Sequence, residues 1–400
     1  IPAYRPPGFG AEIQVSSSAS VSRGQPAVAY SPQHDQYLVV WRNGHEAGHS
    51  DIEARPVGSD GTLHPAFGVF SGERECLNPS VAYNADEDVF LIVWGYNVAG
   101  DGDPRQIWGR LVDLKGNYLS DPRLIASDSN EILRKPRVVW NSKHKRYVVD
   151  WSGLRAESAE PTQIGYAGLS PTLNTEYTGV ISSDGWPRDA DITYNPSVDE
   201  VLLVWQVSYP AGDTNIYAAR LKSGTSDIID PPGQFVVLED SFPAKLPRVA
   251  TNQLNQYLVV WQRYSTQRER WEVLVQELNG EGSRTGAFAW STDGDLEQPA
   301  LVQKKGAIFD YTVLFEFDDG ERVNVYAGYF LSSLGLRTMA ALGAQAEWQY
   351  QRPTGVAGDH NKLLVYEGVD RTNPAATQEI YACTQEHAPE RRSYLPALFG

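Results

Sequence analysis

The stretch Asn78-Pro79-Ser80-Val81-Ala82-Tyr83, followed by Phe90-Leu91-Ile92-Val93-Trp94, decides the fold, because the same pair returns along the whole chain. Gln25-Pro26-Ala27-Val28-Ala29-Tyr30 precedes Tyr37-Leu38-Val39-Val40-Trp41, and further copies occupy residues 136–151, 190–205 and 247–261. Weaker copies occupy 299–315 and 353–366. The first member recurs after 53, 57, 54, 57, 52 and 54 residues, so seven copies fill the 400-residue chain. A period of this size marks a repeat architecture. In each copy the apolar run is followed by a polar loop and a second alternating segment such as Gln106-Ile107-Trp108-Gly109-Arg110. A turn rich in Gly or Asp then leads to a short strand such as Val180-Ile181-Ser182-Ser183-Asp184. Four short strands per repeat, seven times over, predict an all-β, seven-bladed β-propeller. A solenoid would need atypical capping repeats, and none is visible.

The seventh copy holds only three strands, around residues 354–357, 363–366 and 379–383. Its fourth is expected from the other end of the chain, where Glu12-Ile13-Gln14-Val15-Ser16-Ser17 has the pattern of the other fourth strands. Such closure removes the exposed sheet edges that invite aggregation. The expected division is an extended tail at 1–10, a single propeller over 11–386 and a second tail at 387–400. The blades start near 26, 79, 136, 190, 247, 299 and 353. The Ala-rich segment 338–346 leans helical by composition but falls in frame as the fourth strand of blade six. The regularly spaced Trp series reads as core, since packing between blades demands the same residue in every repeat.

Composition excludes several roles. Lys and Arg number 34 against 50 Asp and Glu, a formal charge of −16. Nucleic-acid binding without sequence preference needs the opposite surplus, and so does docking on anionic headgroups. No apolar run approaches 18 residues, so no membrane-spanning helix and no membrane insertion are expected. Ile1 stands where an initiator Met would, which reads as a processed or trimmed start. The two cysteines, Cys76 in a loop before blade two and Cys383 within the third strand of blade seven, are too far apart in this layout for a bridge. They are expected as free thiols.

The motif chain P-x-V-A-Y-N, then Y-L-V-V-W, then D-I-x-x-R resembles repeat arrays of large secreted bacterial and archaeal proteins, over about residues 12–386. That resemblance implies a propeller and an extracellular or cell-surface location. It implies no activity, because the shared residues are structural.

Three constellations carry chemistry by residue type. His45-Glu46-Ala47-Gly48-His49 matches the H-E-x-x-H zinc-protease pattern, but that chemistry needs a helix to put both His on one face. Here the segment is a loop, with a recurring Ala-Gly turn. Asp101, Asp103 and Asp213 lie in Gly-rich loops and offer oxygen donors suited to calcium, without a 12-residue calcium loop around them. No cofactor motif is present. The third constellation sits in the blade-to-blade loops that descend to the central mouth: Trp186 with Arg188, and Trp348 and Tyr350 with Arg352. Aromatic rings with Arg recognise sugars and proteins, while the bland reading makes them seam packing.

These features point to a secreted or surface-displayed, non-enzymatic binding or assembly module. It would take a glycan or protein ligand on the top face, where the loops joining second to third strands lie, and its tails would serve attachment or self-assembly. The alternative is a glycan-active hydrolase or lyase working at the central mouth. A cluster of titratable groups with perturbed pKa at the axis would favour that alternative.

Overall fold

Every inner strand of the ring carries the same irregularity, and it fixes what faces the axis. The residue at the head of each repeat motif adopts a left-handed backbone, with φ between 49° and 57°: Gln25, Asn78, Lys135, Asp189, Leu246, Gln298 and Arg352. All but Asp189 precede a proline. Pro has no N–H for the ladder and is tolerated in a strand at a bulge. The register shifts accordingly at this point in all seven blades, for example between Gly24 and Ala27 and between Arg134 and Arg137. The inner strands therefore begin three to five residues before the motif, at Arg23, Cys76, Glu131, Trp186, Ala244, Asp295 and Trp348. The sequence pattern hides this, because the bulge interrupts the alternation that would reveal it.

The computed structural model describes residues 8–16, 21–45, 48–98, 104–155, 161–181, 185–210, 212–230, 235–238, 242–307, 310–331, 336–342, 348–372 and 377–387. They form seven four-stranded antiparallel sheets, six of them ordered from the axis outward as the chain runs. Blade one comprises Arg23–Ser31, Gln36–Gly44, Ser50–Gly58 and Phe67–Phe70. Residues Leu336–Ala341 form the fourth strand of blade six, as the repeat frame requires despite their helical composition. In blade seven, Trp348–Ala357, Asn361–Asp370 and Glu379–Glu386 are joined by Ile13–Gln14 on the outer edge, with Ile13 opposite Ala382. The closing segment starts earlier than the expected tail boundary: Gly10 N donates to Thr384 O at 2.9 Å, and Glu386 N to Gly8 O at 3.0 Å. The C-terminal segment 388–400 lies outside the described residues.

The core is divided among the seams, one apolar cluster between each pair of neighbouring blades. The seam of blades one and two buries Leu38, Val40, Phe90, Ile92 and Trp94. The seam that closes the ring, between blades seven and one, buries Val15, Val39, Trp41, Val365 and Ile380. Trp41, Trp94, Trp205 and Trp261 are fully buried, as core residues of a repeat should be. Cys76 and Cys383 are free and buried, and Cys76 opens an inner strand rather than sitting in the loop before it.

Candidate functional site

The seven inner strands enclose an axial cavity of about 530 Å³. The side chain two positions after each left-handed residue lines it. In blades one, two, six and seven this position holds Ala27, Ser80, Ala300 and Thr354; in blades three, four and five it holds Arg137, Asp191 and Arg248. Packing needs only a small residue here. The charged arc is therefore a departure from what the ring requires, and such departures are expected at functional sites.

Within the arc most charges are paired across a seam. Lys135 of blade three bonds Asp189 of blade four, and Arg137 Nε lies 3.4 Å from Asp191 Oδ1. Asp191 Oδ2 also accepts the Val249 N–H at 2.9 Å. Arg248 is different. Its Nη1 donates to its neighbour's Pro247 carbonyl at 2.7 Å, and among the described residues it forms no ion pair. Burial pushes its guanidinium below the usual range and Arg137 adds to that, against the opposing charges of Asp191, Asp189 and Asp150 farther off.

Behind the arc sits Asp150, fully buried on the second strand of blade three and opposite Arg137 in register. The other six blades carry Val40, Val93, Val204, Val260, Leu314 and Val365 at this position. Neither carboxylate oxygen of Asp150 has a hydrogen-bond partner. Burial raises its pKa well above the ordinary value, Asp191 adds to the rise, and Arg137 and Arg248 oppose it. A neutral acid in an apolar seam costs stability that the aliphatic residue would not. Asp150→Val should therefore stabilise the chain by about 1–3 kcal/mol in chemical denaturation at pH 7. A loss of stability would mean that Asp150 is ionised and compensates Arg248.

A second group of carboxylates meets the axis at Arg352. Glu316 Oε1 accepts the Arg352 N–H at 2.7 Å, and Glu297 stands opposite Glu316 in register. Glu367 Oε1 accepts the Gln25 N–H at 2.6 Å and lies 3.3 Å from Arg352 Nη1. Burial pushes the Glu316 carboxyl up to about 7, with Glu297 and Glu367 adding to the rise against the Arg352 N–H. Burial raises Glu367 too, offset in part by Arg352. Such a cluster is what a catalytic reading asks for, but the repeat supplies a structural account. Gln206 and Gln262 occupy the same position in blades four and five, and their Oε1 atoms accept the Leu246 and Gln298 N–H groups at 3.0 and 2.9 Å. All four side chains clasp the strained, left-handed residue of the next blade.

The clasp makes a pH prediction. In the unfolded chain Glu316 titrates near 4.5; in the fold it holds its proton to about 7. The folded state binds the extra proton between these values, so stability falls as pH rises through that window. Glu316→Gln keeps the acceptor and removes the titration. It should stabilise the chain by about 1–2 kcal/mol at pH 8, a figure discounted for partial exposure, and have little effect below pH 4.5. Melting temperature against pH for both proteins is the check.

Of the five residues expected at the mouth, Arg352 lines the cavity and the other four do not. Trp186 is half-buried at the start of its inner strand. Arg188 Nη2 turns back to Ser208 Oγ on its own blade at 3.1 Å. Trp348 packs edge-on against Tyr381 at 5.3 Å, and Tyr350 is fully buried against Tyr366 at 5.5 Å. The expected exposure of Tyr350 is thus corrected: it is the third residue of a strand rather than part of a loop, and alternation turns it into the seam of blades six and seven. Lys135, Arg137, Asp150, Asp191 and Arg248 escape sequence reading because acids and bases occur throughout the chain. Aligning the seven repeats column by column would have singled them out.

The metal candidates gain no support. His45 and His49 stack at 5.0 Å in a strand-connecting loop, and His45 Nε2 bonds Asp51 Oδ2 at 2.7 Å. Glu46 and Ala47 lie outside the described residues, as do Asp101 and Asp103, while Asp213 is exposed. Among the described residues no three His, Cys, Asp or Glu side chains are grouped to hold a metal ion.

No family model and no curated protein matches the chain in sequence. Its likeness is to solved structures. A protein of unknown function from Dyadobacter fermentans superposes with a TM-score of 0.59 at 11% identity, covering 97% of this chain and 100% of that one. The β-propeller domain of the Trilobed protease from Pyrococcus furiosus, which has an open velcro topology, gives 0.53 at 10% identity over 93% and 99%. A Hadza microbial sialidase gives 0.50 at 11% identity over 80% and 66%. At these identities the likeness establishes the seven-bladed propeller alone. The scaffold serves a protease and a glycosidase among these neighbours, so binding and catalysis are both compatible with it.

Proposed function

We propose that this propeller is a binding module acting outside the cytoplasm, and that it takes an anionic or polyhydroxylated ligand at the axial mouth. The observation that carries this is the arc Arg137–Asp191–Arg248 on a cavity wall where the other blades keep small residues. A chain of net charge −16 that concentrates Lys135, Arg137, Arg248 and Arg352 on its axis is built to receive negative charge there. The location rests on the resemblance of the repeat motif, and a glycan or protein partner on the top face extends the same reading. The enzymatic alternative has one observation in its favour, the protonatable Glu316 beside Glu297 and Glu367. The clasp made by Gln206 and Gln262 accounts for those carboxylates without chemistry.

Retention on immobilised polygalacturonate against dextran tests the reading. The native chain should bind the acidic polymer. Thr354→Trp, which fills the axial cavity, should abolish retention with the melting temperature kept within a few degrees. Retention unchanged by that substitution would remove the ligand from the axis. Turnover of a glycoside or peptide that Glu316→Gln abolishes would replace binding by catalysis.

A further inference from the structure

The proposed axial site can be narrowed to a ligand chemistry, and this step rests on that reading. We infer that Arg248, flanked by Arg137 and Lys135, receives the carboxylate of a small monoanionic ligand whose polar body faces the amide side chains of Gln25 and Asn78 across the cavity.

Arg248 is the cation of the arc without a carboxylate partner, and its guanidinium spends one donor on the Pro247 carbonyl. A planar fork with its remaining N–H groups turned to a cavity matches the two oxygens of a carboxylate. Lys135 and Arg137 are engaged by Asp189 and Asp191, so they set the potential without competing for the ligand. Asp191 lines the same wall beside Arg137 and limits the negative charge a ligand can bring. A dianion such as phosphate would bring its second charge against Asp191.

The opposite wall tells what the rest of the ligand is like. Among the described residues no aromatic ring lines the cavity, so recognition there is by hydrogen bonds and charge. Asn78 presents an amide that donates and accepts, and Gln25, whose Oε1 accepts the Asn78 N–H at 2.6 Å, adds an amide donor, which suits hydroxyl groups. A volume of about 530 Å³ falls within the roughly 300–1,000 Å³ of small-molecule sites. The class is therefore a hydroxylated carboxylic acid.

Titration calorimetry on the whole chain at pH 7.5 and low salt, with D-galacturonate, D-galactose and inorganic phosphate as probes, decides the matter. Galacturonate should bind saturably, at least tenfold more tightly than either galactose or phosphate. Arg248→Thr, which installs the residue of blade seven, should weaken galacturonate at least tenfold while the protein melts as before. Arg248→Lys, which keeps the charge but loses the fork, should fall between the two. Phosphate binding without galacturonate binding, equal binding of the two sugars, no binding of any probe, or an Arg248→Thr variant that binds normally would each overturn the carboxylate assignment. The Thr354→Trp variant separates the two levels of the argument. Galacturonate binding that survives it would bring down the axial reading itself. Binding lost in Thr354→Trp but kept in Arg248→Thr would bring down only the role of Arg248.

Discussion

Deletion of residues 1–18 should lower the stability of the ring by about 5 kcal/mol or more and broaden its unfolding transition. Val15 is fully buried in the seam of blades seven and one, and burying such a side chain is worth roughly 1.5–3 kcal/mol. The segment also supplies hydrogen bonds that tie it into blade seven. Val15 N donates to Ile380 O at 2.8 Å, Ile380 N to Ser16 Oγ at 2.8 Å, and Tyr366 OH to Glu12 Oε2 at 2.9 Å. Each contributes about 0.5–1.5 kcal/mol net, and more when a buried partner is left orphaned. Glu379 is such a partner, since Ser16 Oγ donates to it at 2.5 Å and Arg23 lies 3.2 Å away. The freed edge of Glu379–Glu386 should also promote association between chains. A synthetic peptide of residues 8–18 added in trans should restore the melting temperature. An unchanged melting curve after truncation would contradict the closed ring.

Lys362→Met should cost about 3–5 kcal/mol at pH 7. Lys362 is fully buried, and its ammonium donates to Asp310 Oδ1 at 2.5 Å and to Thr312 Oγ1 at 3.0 Å. His387 Nδ1 lies 3.0 Å from Asp310 Oδ2, while its Nε2 bonds Gly358 O at 2.8 Å. Burial alone would raise the Asp310 carboxyl; the His387 contact and the Lys362 charge outweigh it and hold the pKa at about 2. This pair thus stabilises the fold above pH 3.8, and the contribution is lost as pH falls toward 2. Removing the ammonium leaves a buried carboxylate with a weaker partner. The cost should therefore shrink at pH 4, where Asp310 can take a proton. Lys362→Met combined with Asp310→Leu should recover most of the stability, because an apolar pair of similar volume often replaces a buried ion pair without loss. Denaturant titrations of both singles and the double mutant at the two pH values measure this. A double mutant as unstable as Lys362→Met would contradict the ion-pair account.

The ring was legible because repetition is a strong signal: seven copies of an apolar run ending in an aromatic residue give the blade count. The strand missing after residue 386 gives the closure. The inner edge was not legible to the same depth. A proline such as Pro79 reads as the start of a strand, whereas the strand starts at Cys76 and passes through a left-handed residue at Asn78. That shift of three to five residues changes which side chains reach the axis. Trp186 and Trp348 looked like loop residues at the mouth and are instead the first residues of strands. Arg352 was found because it lies beside them. Asp150 and Arg248 were missed because nothing local distinguishes them; their meaning comes from the valine, alanine and threonine that other blades keep in the same columns.

The axial assignment has its most direct test in a crystal structure of the chain grown with D-galacturonate. The expected result is one sugar acid on the axis, its carboxylate within hydrogen-bond distance of the Arg248 guanidinium and its hydroxyls toward Gln25 and Asn78. A saturated crystal with the sugar acid bound on an outer loop, and none on the axis, would contradict it.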